Sequence, residues 1–393
     1  MDSKKKFFED ICTEVNFESM PYSPMSPDIC QTSNFYFSSY EDFIEKSKDE
    51  KNNYIYTRGS NPTTIQLEKT LANLVGGEKC KVFSSGMGAI SSTLLTLLSE
   101  GDHLIMLNTI YGEAYSFAKY INKYGIELTK EYVEDYSQVE ELIQENTKII
   151  YIESPSHQKC QMIDLEGLTQ IAHAHGIMVV MDSTWASPLF QDPISYGVDV
   201  VIHSMSKYIG GHSDIVGGAV ISSNEIIDTI SEHGHQFLGA VNSPFNSWLA
   251  IRGLRTLPVR MSYFSNSVKE FIDAFKSDSR IKKIYHPYCA TDQQKELSDK
   301  YLSGYGSLMS LELANEDFEK MKEFVNSLES FSIGVSWGGF ESLILPSYKG
   351  NNVEKLIERG LGKGHIRLYI GLENIETLIN DFRTSLDKVY GEE

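Results

Sequence analysis

"VVIHSMSKYIGGHSD", Val200 to Asp214, runs a β-branched stretch into a cluster of hydroxyls with one lysine among them, then into paired glycines. A short apolar run of this kind reads as a buried strand. Lys207 then stands at the carboxyl end of that strand, between the hydroxyls of Ser204 and Ser206 and the glycines. A surface lysine needs no such setting. A lysine that bonds a phosphate-bearing cofactor does.

The same alternation extends on both sides of this stretch. "KCKVFSSG" leads into the helical "GAISSTLLTLLSEG", "HLIMLN" into "AYSFAKYINKYG", and "TKIIYIES" into "LEGLTQIAHAHG". "IMVVMDS", "DVVIHSMS" and "GGAVISS" add further strands. Short apolar strands alternating with amphipathic helices predict an α/β fold with a mainly parallel sheet covered on both faces. This large domain is placed at 53–250. Its first helix is "NPTTIQLEKTLANLVGG", with a proline at its start and glycines at its end. From 251 to 393 the helical "SVKEFIDAFKSD" and "DFEKMKEFVNSL" alternate with the strand-like "SLMSLELA" and "HIRLYIGL". That pattern predicts a smaller C-terminal α/β domain with a mixed or antiparallel sheet, joined through a long helix bent at "RTLPVR". Residues 1–52 are polar and aromatic-rich. "MPYSPMSPD" is too rich in proline for regular helix, so the segment reads as an N-terminal arm lying over another surface.

The chain has 393 residues, 35 basic against 54 acidic, for a net charge of −19. That balance disfavours nucleic acids and anionic membranes as partners, since both require basic patches. The five cysteines are widely spaced and form no C-x-x-C pair, a pattern suited to free thiols in a reducing compartment and to no metal site. The basic start "MDSKKKFFEDICTEV" has no apolar stretch behind it and reads as no signal peptide. The expected compartment is the cytoplasm.

In a parallel sheet, ligands bind beyond the carboxyl ends of the strands. Gly86 and Met87 of "SSGMG", Tyr111, Glu153, Asp182, Ser204, Ser206 and Lys207 all fall at such ends. Gly86 and Met87 open a helix whose backbone N–H groups can approach an anion, and the serines add hydroxyl donors. Asp182 is costly to bury without a cationic partner, which a protonated pyridine nitrogen would supply. Lys207 would form the Schiff base. Taken singly, "SSGMG" is more often just a strand–helix turn, Asp182 could cap a turn, and Lys207 could be a surface lysine. Together they point to pyridoxal 5'-phosphate (PLP).

"YTRGSNPT", "SSGMGAI", "MDSTWASPLF", "DVVIHSMSKYIGGHSD", "SWGGFESLI" and "RLYIGLEN" jointly resemble the Cys/Met-metabolism family of PLP enzymes. That family includes cystathionine β-lyase, cystathionine γ-synthase, cystathionine γ-lyase and methionine γ-lyase. The resemblance implies a fold type I, aspartate aminotransferase-like PLP-dependent transferase. By it, Lys207 carries PLP and shuttles protons, Asp182 pairs with the pyridine nitrogen, and Tyr111 stacks on the ring. Gly86, Met87, Ser204 and Ser206 would bind the phosphate. Tyr56 and Arg58 would reach that phosphate from a neighbouring subunit, in a dimer usually assembled into a tetramer. Arg367 and Ser336 would hold the substrate carboxylate.

The chain also departs from the family pattern. Ser183 stands where "D-N-T" has asparagine, and "ESPSHQKC" replaces "S-P-x-N-P", so His157 takes an asparagine's place near cofactor and substrate. Glu113 occupies a position where γ-acting members have a small residue or cysteine, and would face an ammonium at a substrate's distal end, or else solvent. Trp185 and Trp337 resemble cystathionine β-lyase, whereas "NPTTIQLEKTLA" and "YIGGHSDIVGGAV" look more like the γ-enzymes. The reading favours C–S cleavage of cystathionine or a related thioether amino acid by β- or γ-elimination. γ-Replacement on an O-acylhomoserine, or a specialised biosynthetic γ-substitution, is the alternative. The set Lys207, Asp182, Tyr111 and Arg367 argues against a non-catalytic scaffold.

Overall fold

The structure, a computed structural model, describes residues 7–14, 24–49, 53–133 and 135–392. Seven strands form the larger sheet: β1 (Lys79–Phe83), β2 (His103–Leu107), β3 (Glu127–Glu131), β4 (Thr147–Glu153), β5 (Met178–Asp182), β6 (Val200–Ser204) and β7 (Gly218–Ser222), in the order β1-β7-β6-β5-β4-β2-β3. The ladder from β3 through β2, β4 and β5 to β6 is parallel. "GGAVISS" forms β7, which runs antiparallel to both β6 and β1.

Strand side chains alternate between the faces, and here both faces are apolar. Ile150, Ile152, Val179, Met181 and Val201 enter one buried cluster, while Ile149, Tyr151, Val180, Val200 and Ile202 enter the other. Full burial of each such aliphatic side chain contributes roughly 1.5–3 kcal/mol, which explains the near-continuous hydrophobic runs. The register sets Glu153 beside Asp182, and Asp182 beside Ile202. The carboxyl ends of β4, β5 and β6 therefore share one edge.

The helix Pro62–Val75 begins and ends as its sequence predicts. Asn61 accepts the Thr63 N–H at 3.0 Å, and Gly76 terminates the helix at φ +84°, a conformation that glycine adopts without strain. The bend expected at "RTLPVR" separates the helices Pro244–Leu254 and Leu257–Phe275, with a proline in the first turn of the second. We place the domain boundary at this break, so residue 250 lies within the first of the two helices. The second sheet comprises β8 (Ile281–Tyr285), β9 (Leu308–Leu313), β10 (Ser332–Ile333), β11 (Leu343–Pro346) and β12 (His365–Tyr369), ordered β10-β11-β12-β9-β8. It is mixed, because only β10 and β11 pair in parallel.

Part of the proline-rich stretch, residues 20–23, lies outside the described residues. Beyond it the arm lies on the two helices that flank it. The Trp248 indole donates to the Pro27 carbonyl at 3.0 Å, and the Cys30 N–H donates to Thr63 Oγ1 at 2.9 Å. The arm also contains two short helices, Phe8–Thr13 and Tyr40–Ser47, which its weak periodicity did not announce. All five cysteines are free thiols. Among the described residues no helix is long and apolar enough to cross a membrane.

Candidate active site

Lys207 follows β6 on a turn closed by its own N–H donating to the Ser204 carbonyl at 3.2 Å. Its Nζ donates to Ser336 Oγ at 2.5 Å and lies 5.2 Å from the Trp337 ring centroid. The second domain's loop thus packs directly on this lysine. A Cβ at Gly338, where φ is +91°, would come within 2.7 Å of the Lys207 Cα. Burial, aided by the nearby Arg367 charge, lowers the Lys207 ammonium to a pKa of about 8 against the pull of Asp182. An amine tuned in this way is partly neutral, hence nucleophilic, near neutral pH.

Asp182 ends β5 and is 8% exposed. Its Oδ1 accepts the Thr184 N–H at 3.0 Å and the Thr184 hydroxyl at 2.5 Å, while Ser204 N–H donates to that same hydroxyl oxygen at 2.8 Å. These bonds tie β5 to β6. Burial first, and Glu153 second, raise Asp182 to about 6 in spite of Thr184 and His157. Asp182 Oδ2 takes no hydrogen bond from the described residues. This carboxylate is therefore buried at a cost, with one oxygen left for a cation.

Arg367 on β12 donates through Nη2 to the Ser336 carbonyl at 3.3 Å, and burial lowers its pKa. Ser336 holds a left-handed backbone, φ +76°, and so turns its hydroxyl to Lys207 and its carbonyl to Arg367. Tyr111 caps the helix Gly112–Ile121 and is 43% exposed. Burial, Glu113 and Asp182 raise its phenol, and Arg367 opposes them. The field of Tyr111 thus places it near both charges of the site. Its ring meets the His157 ring edge-on, with centroids 6.2 Å apart. Glu113, in the first turn of the same helix, is exposed.

Gly86 opens the helix Gly86–Leu97, whose cap Ser85 accepts the Gly88 N–H at 2.9 Å. A Cβ at Gly86 would sit 3.1 Å from Ser204 Oγ, so glycine lets this helix start approach β6 closely. Met87 follows at the same helix start. Ser206 Oγ faces the Gly217 backbone, accepting its N–H at 3.1 Å.

Tyr56 and Arg58 stand apart from this group. Arg58 donates to Gln236 Oε1 at 3.1 Å and lies over the Tyr56 ring at 5.5 Å. A cavity of about 790 Å³ is lined by Arg58, Lys81, Glu68 and Gln236 among others, and by none of Lys207, Asp182, Tyr111 or Arg367. Trp185 also stands apart: it is 1% exposed, and its indole donates to the Leu308 carbonyl at 3.1 Å. It is a core residue joining the two domains, and among the described residues it makes no hydrogen bond to the group around Lys207. Two further residues belong to the site on geometry. Thr184 bridges Asp182 to Ser204, and Glu153 holds Tyr111 and His157. The signal for Glu153 was the same as for Asp182, a carboxylate closing an apolar strand.

The model of the family "Cys/Met metabolism PLP-dependent enzyme" matches residues 12–387. The chain belongs to this family. An L-methionine gamma-lyase of Fusobacterium nucleatum subsp. nucleatum is 36% identical over 375 residues, covering 94% of this chain and 95% of the relative. A cystathionine beta-lyase of Lactococcus lactis subsp. cremoris is 35% identical over 342 residues, covering 85% and 89%. In structure, a cystathionine gamma synthase of Xanthomonas oryzae pv. oryzae superposes with a TM-score of 0.91 at 31% identity, covering 99% of this chain and 100% of that one. A putative O-acetylhomoserine (thiol)-lyase of Campylobacter jejuni, which carries a pyridoxyl-lysine phosphate, gives 0.91 at 28% identity, covering 97% and 100%. The protein is thus a PLP-dependent enzyme of the trans-sulfuration family. Its residues suit that cofactor: a buried carboxylate with a spare oxygen, a lysine of lowered pKa, and a glycine-opened helix start beside Ser204.

Proposed function

We propose that the enzyme is a C–S lyase that releases a thiol from cystathionine or a related thioether amino acid, with β-elimination of cystathionine the favoured reaction. The observation that supports a lyase site is Lys207 itself, a half-buried amine bonded to Ser336 and within the fields of Arg367 and Asp182. PLP, when bound, supplies an electron sink for charge developing at the substrate Cα. Lys207 Nζ would carry the cofactor, take the Cα proton and pass a proton to the sulfur of the departing thiol. Asp182 Oδ2 would face the ring nitrogen, while Thr184 keeps Oδ1 from turning away. The helix start at Gly86 and Met87, with Ser204 and Ser206, would bind the phosphate. Tyr111 would stack on the ring, and Arg367 with Ser336 would fix the substrate carboxylate. Tyr56 and Arg58, remote from Lys207 within one chain, serve a neighbouring subunit's phosphate in a dimer that pairs into a tetramer. The cytoplasm is its proposed compartment.

Trp337 beside Lys207 and Glu113 beside Tyr111 support the β-lyase reading. The similarity to a cystathionine γ-synthase favours γ-replacement as the second reading. Incubation with cystathionine tests the two eliminations. β-Elimination yields pyruvate and homocysteine, whereas γ-elimination yields 2-oxobutyrate and cysteine. Thioether formation from an O-acylhomoserine and cysteine, with neither oxo acid, would support the second reading.

The exposure of Glu113 limits its contribution. An exposed carboxylate facing the distal ammonium of cystathionine contributes about 0.2–1 kcal/mol. Glu113→Gln is therefore expected to raise KM for cystathionine by up to about fivefold and to leave that for methionine, whose distal end is neutral, unchanged. Equal effects on both substrates would place Glu113 outside the distal pocket.

A further inference from the structure

Glu153 is 7% exposed at the end of β4, and both of its oxygens are engaged. Oε2 accepts the backbone N–H of Tyr111 at 2.9 Å. Oε1 accepts the backbone N–H of His157 at 2.5 Å and the ring Nδ1 of His157 at 2.7 Å. The His157 ring in turn lies edge-on to the Tyr111 ring, at an interplanar angle of 77°. Arg367 is close enough to feel the Glu153 charge, so the buried carboxylate is not left uncompensated.

We propose that Glu153 is the positioning residue for Tyr111. One oxygen fixes the Tyr111 backbone at the start of its helix, and the other holds His157, whose imidazole braces the Tyr111 ring from the side. Both ends of Tyr111 are thereby tied to a single carboxylate on the rigid sheet. Tyr111 needs this support because its ring is 43% exposed and its own helix cap makes no side-chain bond. The bond at Nδ1 also sets the tautomer, because a carboxylate oxygen there requires the proton on Nδ1. An asparagine in place of His157 would reach Glu153 but would present no ring edge to Tyr111. The brace is thus a consequence of this chain's own histidine.

The inference rests on the reading of Tyr111 as the residue that stacks on PLP, and not on which C–S bond is broken. Its test therefore uses PLP alone, without an amino-acid substrate. The dissociation constant of PLP and the visible circular dichroism of bound PLP would be measured for the wild type, Glu153→Gln, His157→Ala, Tyr111→Ala, and Glu153→Gln with Tyr111→Ala. Glutamine turns an N–H either toward the Tyr111 N–H or toward the two His157 donors, so Glu153→Gln should weaken PLP binding on the order of tenfold and reduce the dichroic band. His157→Ala should weaken it about threefold. In the Tyr111→Ala background, Glu153→Gln should add nothing, since there is no ring left to hold. A full additional tenfold loss in that background would overturn the proposal, as would an unchanged dissociation constant and band in the single variants. If Glu153→Gln fails to fold by far-ultraviolet circular dichroism, His157→Ala decides: a weaker, less dichroic PLP complex supports the brace, and a wild-type one refutes it. Failure of the wild type to bind PLP would instead overturn the functional reading above.

Discussion

Lys207→Ala is expected to lower turnover on the order of 10²- to 10⁴-fold, the range lost with a positioned proton-transfer group. The loss has two sources. The covalent link to PLP disappears, and the neighbouring Arg367 stays cationic at working pH and cannot take over the Cα proton. Steady-state kinetics with PLP in excess measures the second source, and PLP affinity measures the first. The wild type adds a pH signature. Only the neutral amine attacks an aldehyde, and burial holds Lys207 at about 8. The rate at which apoenzyme captures PLP should therefore rise with pH up to about 8 and level off above it. Retention of more than a tenth of wild-type turnover by Lys207→Ala would remove this lysine from the mechanism.

Asp182→Ala should slow exchange of the substrate Cα proton on the order of 10²-fold or more, the loss seen when a preorganised electrostatic partner is removed. Deuterium wash-in at Cα, followed by proton NMR, reads that step apart from elimination. The same residue carries an opposite cost in stability. Raising a buried carboxyl from 3.8 to about 6 corresponds to roughly 3 kcal/mol of unfavourable ionisation at neutral pH. The folded state binds the proton more tightly than the unfolded state, so this carboxyl's contribution is most favourable below pH 4. It is lost as pH rises through about 6. Asp182→Asn, which keeps an acceptor for both Thr184 bonds, should consequently raise the Tm of the apoenzyme by a few degrees at pH 7.5 while weakening Cα exchange. Wild-type exchange in Asp182→Ala, or a lower apoenzyme Tm in Asp182→Asn at that pH, would contradict this account.

Much of the fold was legible because buried parallel strands have a plain signature. "IMVVMD" and "VVIHS" are apolar on both faces, and each ends on the polar residue that reaches the ligand edge. β3 was not legible: "ELTKE" lies at the sheet's edge, is buried on neither face, and reads as a polar loop. β10 and β11 are too short for periodicity to show. The antiparallel run of β7 left no mark, because β7 is as fully buried as its parallel neighbours.

In the candidate site the sequence signal is a polar residue at the end of a strand, as at Asp182, or on the turn just beyond it, as at Lys207. Three residues beyond Asp182, at Trp185, the chain has already turned into the core. Glu153 was noticed at its strand end without a role, since its partners, Tyr111 and His157, come from separate loops that only the sheet brings together. The parting of Arg58 from Lys207 within one chain has no local signal at all.

The account turns on one covalent bond, between PLP and Lys207. Borohydride reduction of the yellow holoenzyme, followed by proteolysis and peptide mass mapping, tests it directly. The predicted result is a single pyridoxyl-phosphate adduct, on the peptide that contains Lys207. An adduct on any other lysine, or none under conditions in which bound PLP is seen by absorbance, would contradict it.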